Sequence, residues 1–470
     1  MTQTNAAPRT QGGPAPFGWF SIFRLGLVQT ALGAVVVLTT STLNRVMVVE
    51  LGLAAMVPGA LVTLHHAMQM LRPRMGYGSD LGRRRTPWIV GGMAALALGG
   101  FLAALATTMM DATMGAGLAL AIVAYALIGG GVSACGTSLL VLMAKRVAEG
   151  RRAAAATMVW MMMIAGFAIT ATIAGKLLDP FSGSRLVAVA GGVCALAFAT
   201  ALVAMWRLEG RASASMERSA GEAVVADEPE ATKPPFRQAL KQVWAEPDAR
   251  RFTVFVFVSM LAYSAQDLIL EPFAGAVFDF TPGASTQLSG TQHGGIFAGM
   301  LVVAVVTSLF KGTAVASPRA WVVGGCLASF VAMSGLVVAG LTGGPWPLVE
   351  NVCVLGVANG VFSIAAIAAM MTLAGHGRDG REGTRMGLWG AAQAIAFGAG
   401  GFLGTVLVDA ARAIVGPTGG AYAFVFGLEA LGFFVAHLIA LRTSFERREP
   451  GPESRVSPAT AGAQLQPEPL

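Results

Sequence analysis

Apolar runs of about twenty residues recur along the chain, with short polar turns between them. A helix needs about that length to cross the hydrocarbon core of a bilayer. The pattern predicts twelve spans, at 22–43, 53–71, 88–108, 116–143, 155–177, 186–206, 252–275, 292–310, 319–341, 347–374, 386–408 and 420–441. The longest polar stretch, 207–251, carries Ala, Ser, Glu and the pair Pro234-Pro235 between the sixth and seventh runs. It predicts a disordered cytoplasmic linker that turns helical over 236–245. The expected organisation is a tail over 1–21, a six-helix half over 22–206, the linker over 207–251, a second six-helix half over 252–442 and a disordered tail over 443–470.

With 470 residues the chain is long enough for several soluble domains, but its composition excludes them. Charged residues make up 12%, hydrophobic residues 55%, and mean hydropathy is +0.66. A soluble protein carries about twice that charge. The 60 glycines suit helices that pack backbone to backbone in lipid.

The net charge of +7 does not mark a nucleic-acid face, because the basic residues sit in short clusters between apolar runs. With both termini and the even-numbered loops inside, 28 Lys and Arg lie on the cytoplasmic side. The outer loops hold only Arg45, Lys176, Arg185 and Arg412. Positive residues favour the cytoplasm, so the expectation is a multi-pass bacterial inner-membrane protein with both termini cytoplasmic. The first sixteen residues lack the basic region and short apolar core of a cleavable signal, so the first run is expected to stay as a span. Cys135, Cys194, Cys326 and Cys353 lie singly inside apolar runs and read as small buried hydrophobes. No metal cluster, nucleotide loop or catalytic constellation is evident, which argues against an enzyme.

The two halves look related. Gly129-Gly130-Gly131 precedes a basic loop, and Trp160 follows just inside the fifth run; Gly356 and Gly360 precede Arg378, Arg381 and Arg385, and Trp389 follows just inside the eleventh. Parallel repeats about an axis along the membrane normal are the architecture of major facilitator transporters. The expected fold class is therefore an all-α membrane protein with the major facilitator fold, its twelve helices forming two pseudo-symmetric halves. The loop Gly76-Tyr77-Gly78-Ser79-Asp80-Leu81-Gly82-Arg83-Arg84-Arg85 resembles the major facilitator loop signature. It departs at Leu81, where a basic residue is usual, and the second glycine comes one residue early. The resemblance implies a cytoplasmic latch of Gly76, Asp80, Gly82, Arg83, Arg84 and Arg85.

Charged and amide side chains inside the apolar runs are the main chemical signal. Asp267 and Glu271 are four apart and share a helix face, one residue after Gln266. A carboxylate deep in a bilayer costs about 3 kcal/mol, so it normally faces a cavity or a partner. Asn44-Arg45, with Glu50 beyond, occupies a related place in the first half. Opposite charge at these positions predicts that Arg45 pairs with Asp267 or Glu271 when the outer side is closed. The competing reading is that all three are interfacial and solvated.

Three stretches are similar to the PucC/LhaA family of light-harvesting complex assembly proteins: Leu43-Asn44-Arg45-Val46-Met47-Val48-Val49-Glu50-Leu51-Gly52, Ala265-Gln266-Asp267-Leu268-Ile269-Leu270-Glu271-Pro272-Phe273-Ala274-Gly275 and Leu388-Trp389-Gly390-Ala391-Ala392-Gln393-Ala394. The loop from Leu71-Arg72-Pro73-Arg74 to Arg85-Thr86-Pro87-Trp88 also fits. The resemblance implies a membrane factor that binds bacteriochlorophyll and passes it to antenna polypeptides, without a covalent cofactor. It implies that Asn44, Arg45, Glu50, Gln266, Asp267 and Glu271 matter. The pigment-binding candidates are His65, His66, Gln69, Trp160, Met161, Trp389 and Gln393. An imidazole can ligate a chlorin's magnesium, and Met158, Met161, Met162 and Met163 around Trp160 offer soft apolar contact. Ordinary packing is the competing reading for each, as it is for His293, at the start of the eighth run, and His437. The alternative function is a proton-coupled transporter of a small solute, with Asp267 and Glu271 as proton carriers; a further reading is a ligand-free scaffold for antenna helices.

Overall fold

Proline starts several of the long helices and glycine stops others. Pro247, Pro282 and Pro318 open three helices at the position where a missing N–H is harmless. Gly343 and Gly416 follow two helix ends with φ of 68° and 81°, a conformation that a side chain would resist. The computed structural model describes residues 17–71, 84–209, 241, 244–310, 313–374 and 382–443.

The chain forms α1 (Trp19–Val37), α2 (Met56–Met68), α3 (Thr86–Ala112), α4 (Met114–Arg146), α5 (Arg152–Leu178) and α6 (Gly183–Met205) in the first half. The second half holds α7 (Pro247–Phe278), α8 (Pro282–Leu309), α9 (Pro318–Thr342), α10 (Leu348–Ala374), α11 (Glu382–Val415) and α12 (Thr418–Leu441). Among the described residues, eleven helices are long and apolar enough to cross a membrane, so this is a multi-pass membrane protein. The twelfth, α2, has 13 residues, about 20 Å of helix, so the span expected over 53–71 is only partly crossed by α-helix.

Helix α1 runs on through two π turns, Leu38–Leu43 and Val46–Glu50. The Thr39 and Thr40 hydroxyls both donate to the Val36 carbonyl, at 2.7 and 3.1 Å, and compete with the helix ladder there. Such widened turns bring extra side chains to one face and recur at functional sites.

The contacts repeat between halves. In the first half α1 packs on α5 and α6, α3 on α4 and α6, and α2 on α4. In the second, α7 packs on α11 and α12, α9 on α10 and α12, and α8 on α10. The halves meet along two seams related by the same symmetry, α5 on α8 and α2 on α11. Each half buries its own apolar core, and a smaller cluster around Ile164, Ile296 and Met300 fills the α5–α8 seam.

The glycine repeat is real. A side chain at Gly129 would strike the His65 carbonyl of α2, and one at Gly356 would strike the Gln292 carbonyl of α8. The tryptophan repeat is one residue out. Asp179 and Asp409 end α5 and approach the end of α11 in equivalent places, and in that register Trp389 aligns with Val159 and Trp160 with Gly390. Trp389 and Val159 are buried, whereas Trp160 and Gly390 are exposed. The eighth helix begins ten residues earlier than expected, at Pro282, because its first turns are Ser, Thr, Gln and Gly buried against protein.

Candidate functional site

Polar links between the halves gather at the end of the bundle opposite Trp19 and Leu441. Asp409 of α11 caps α2: it accepts the Ala55 N–H at 3.1 Å and the Met56 N–H at 2.8 Å. Asp179 after α5 accepts the Thr281 hydroxyl at 2.9 Å, and Thr281 in turn accepts the Ala284 N–H at the start of α8. Between these caps, Thr42 meets Thr286 at 3.0 Å and the Asn44 amide donates to the Leu268 carbonyl at 2.7 Å.

Arg45 completes this closure with partners other than those expected. It pairs with Glu50, one turn on, and donates to the Phe280 carbonyl beyond α7 at 2.5 Å. It is buried, while Glu50 keeps 38% of its side chain exposed. Its guanidinium lies over Gly275, where any side chain would displace it. The expected pairing with Asp267 or Glu271 fails for reasons of register. The α1 unit Trp19–Glu50 and α7 are both 32 residues long. Aligned end to end, Asn44 and Arg45 match Pro272 and Phe273, almost two turns beyond Gln266 and Asp267.

Glu271 is buried beside the Ser41 and Ser289 hydroxyls, between the π turn of α1 and α8. The neighbouring Ser41 oxygen and one Glu271 oxygen lack a hydrogen bond of good geometry. Gln266 is fully buried, with neither amide atom bonded among the described residues. Asp267 is half-buried and lies within electrostatic reach of Glu271 and of Glu429 on α12. Sequence reasoning missed Glu429, although a carboxylate inside an apolar run was the available signal. Glu429 is 5% exposed and neither oxygen has a hydrogen-bond partner among the described residues.

At the end carrying the termini, Gly76, Asp80, Gly82 and Arg83 of the expected latch lie outside the described residues. Arg84 is exposed and Arg85 buried. The backbone N–H groups of Arg85 and Thr86 donate to the Glu209 carboxylate at 2.7 and 2.9 Å, which caps α3. In the second half Arg385 of α11 makes a bidentate pair with Glu246 at 2.9–3.0 Å.

The pigment candidates do not converge. Trp389 is fully buried: its indole donates to the Ala249 carbonyl at 3.4 Å and its ring meets Phe252 edge-on, so it is core packing between α11 and α7. Trp160 is 37% exposed, Met162 packs on Gly26 of α1, and the Met163 sulfur accepts from Gln29. Successive helical residues step round the axis, so these four share no single wall; Met161 and Met163 join the seam cluster, while Trp160 and Met162 do not. Gln393 is half-buried one turn from Trp389. His65 is buried with its ring 4.8 Å from that of His66, and His66 lies on the α2–α11 seam with Gln69 at 3.3 Å from Nδ1.

Comparison with known proteins identifies the fold and the family. The chain superposes on a peptide transporter (POT) in complex with sulfate with TM-score 0.64, at 15% identity, covering 91% of this chain and 96% of that one. A bacterial homolog of the human lysosomal transporter Spinster, inward-facing and occupied, gives 0.64 at 15% identity over 92% and 98%. The fold is that of major facilitator transporters. "Bacteriochlorophyll synthase 44.5 kDa chain" of Rhodobacter capsulatus is 51% identical over 423 residues, 90% of this chain and 95% of the relative. "Protein PucC" of the same organism is 30% identical over 447 residues, covering 89% and 91%. The PUCC protein family model matches residues 42–447, and the chain belongs to that family.

Proposed function

We propose that this chain is a membrane assembly factor for photosynthetic light-harvesting complexes, which binds bacteriochlorophyll and delivers it to antenna polypeptides. The observation that carries the reading is the family match over 42–447, together with a 51% identical relative whose name contains bacteriochlorophyll. That name also contains the word synthase; the PucC relatives and the transporter-like fold favour binding and transfer without covalent chemistry. Arg45, Lys176, Arg185 and Arg412 lie at the end opposite the termini, and the other described basic residues lie towards the terminal end. That asymmetry supports cytoplasmic termini in the bacterial inner or intracytoplasmic membrane.

The test is to purify the protein in mild detergent from a bacteriochlorophyll-producing strain that lacks antenna polypeptides, and to record its absorption spectrum. Stoichiometric pigment that transfers to added antenna polypeptides is the expected result. A colourless, monodisperse protein overturns the pigment part of the reading.

A proton-coupled transporter of a small solute is the second reading, favoured by Glu429 and Asp267 inside the second half. Proton-driven flux in proteoliposomes, abolished by Glu429→Gln or Asp267→Asn, would support it.

A further inference from the structure

We infer that His293, on the α5–α8 seam, is the axial ligand for a magnesium chlorin. The inference rests on the pigment reading above and goes on to name its site.

An imidazole ligates a metal through one nitrogen lone pair, and a hydrogen bond at the other nitrogen decides which one is offered. In His293, Nδ1 lies 2.9 Å from the Ser289 carbonyl, with the Ser289 hydroxyl at 3.5 Å. A carbonyl can only accept, so Nδ1 carries the proton and the lone pair is on Nε2. That partner is backbone, one helical turn back, and holds the ring orientation without depending on a neighbouring side chain. The ring is half-buried and meets Phe167 of α5 edge-on, centroids 4.9 Å apart. Met161, Met163, Ile164, Ile296 and Met300 form the apolar cluster next to this contact. Soft, flexible side chains of this kind adapt to a large flat ligand.

Position separates His293 from the other described histidines. Gly129 packs on His65 as Gly356 packs on Gln292, so His66 and His293 are equivalent residues on the two seams. At His66, Nδ1 faces the Gln69 amide nitrogen, a donor, which sets the opposite tautomer. His437 shares the ligating tautomer through the Val323 carbonyl at 3.0 Å, but it lies between α9 and α12 within one half. His293 lies where the halves meet, on a seam that relative movement of the halves would open and close. It is eleven residues beyond Pro282, the start of α8, well away from the helix end where the apolar pattern put it.

The experiment compares pigment per protein in the antenna-free strain for the parent, His293→Ala, His293→Gly, His437→Ala and the His65→Ala/His66→Ala pair, each checked for monodispersity. The expected result is a fall of at least about tenfold in the two His293 variants only, with imidazole restoring pigment to His293→Gly. Raman bands that report the axial ligand of the macrocycle should return with it. Parent-level pigment in the His293 variants overturns this site and leaves the pigment reading standing. So does loss that imidazole does not reverse, or loss confined to His437→Ala or the His65/His66 variant. A parent protein without pigment overturns both.

Discussion

Asp179 and Asp409 stand 230 residues apart and hold equivalent places, each set against the first turn of a helix in the opposite half. A helix N-terminus presents unsatisfied N–H groups and partial positive charge, which a carboxylate satisfies. Asp409 takes two such groups directly, and Asp179 acts through the Thr281 hydroxyl. These bonds are sacrificed if the halves separate at this end, so the two residues set how readily it opens. Asp409→Ala should cost about 1 kcal/mol, the usual value of a helix cap, and Asp179→Ala less. Ser41→Cys, buried behind the closure, should react several-fold faster with an impermeant maleimide in the Asp409→Ala background. Unchanged labelling would show that the caps do not hold this end shut.

Arg45 reaches Glu50 and the Phe280 carbonyl through separate guanidinium nitrogens. A lysine offers a single point charge and cannot bridge both. Arg45→Lys should therefore destabilise nearly as much as Arg45→Ala. In double-mutant cycles Arg45 and Glu50 should couple by about 1 kcal/mol, held low by the exposure of Glu50, whereas Arg45 and Asp267 should not couple. Gly275→Val should resemble Arg45→Ala, since its side chain would occupy the space of the guanidinium. Measurable coupling between Arg45 and Asp267 would restore the pairing expected from charge alone.

The two tryptophans offer a contrast in stability. Trp389→Ala empties a site walled by Phe252 and the Ala249 carbonyl and should cost about 3–5 kcal/mol. Trp160→Ala should change stability by no more than about 0.5 kcal/mol. Thermal unfolding in detergent, followed by tryptophan fluorescence or circular dichroism, separates them. A large effect at Trp160 with none at Trp389 would contradict their burial.

These contrasts indicate what a sequence can carry. The twelve-helix plan, the two halves and the Gly129–Gly356 repeat were legible because apolar length and backbone contact leave direct marks in composition, although α2 falls short of a full span. The start of α8 was not, since Ser285, Thr286, Ser289 and Gln292 are polar yet buried against protein. That error put His293 at a helix end. The Trp160–Trp389 match was out by one residue, and one residue turns a helix by about 100°. Charge matching between Arg45 and Asp267 failed similarly, because pseudo-equivalence was judged from residue type rather than from helix ends.

Glu429 yields a prediction in which stability and function part company. It is buried on α12 with neither oxygen hydrogen-bonded among the described residues, and Asp267 nearby is of like charge. A buried polar group without partners costs about 1–3 kcal/mol, and an apolar replacement of similar size removes that cost. Glu429→Leu should therefore unfold at a higher temperature than the parent, and Glu429→Gln should fall between the two. Proteins retain such costly groups where activity uses them. The stabilised variants should consequently be impaired in pigment transfer to antenna polypeptides or, on the transporter reading, in proton-driven flux. A Glu429→Leu protein that is both more stable and fully active would show that this carboxylate has no part in function. One that is less stable would mean that Glu429 has a partner in the membrane, such as a bound cation or a lipid headgroup.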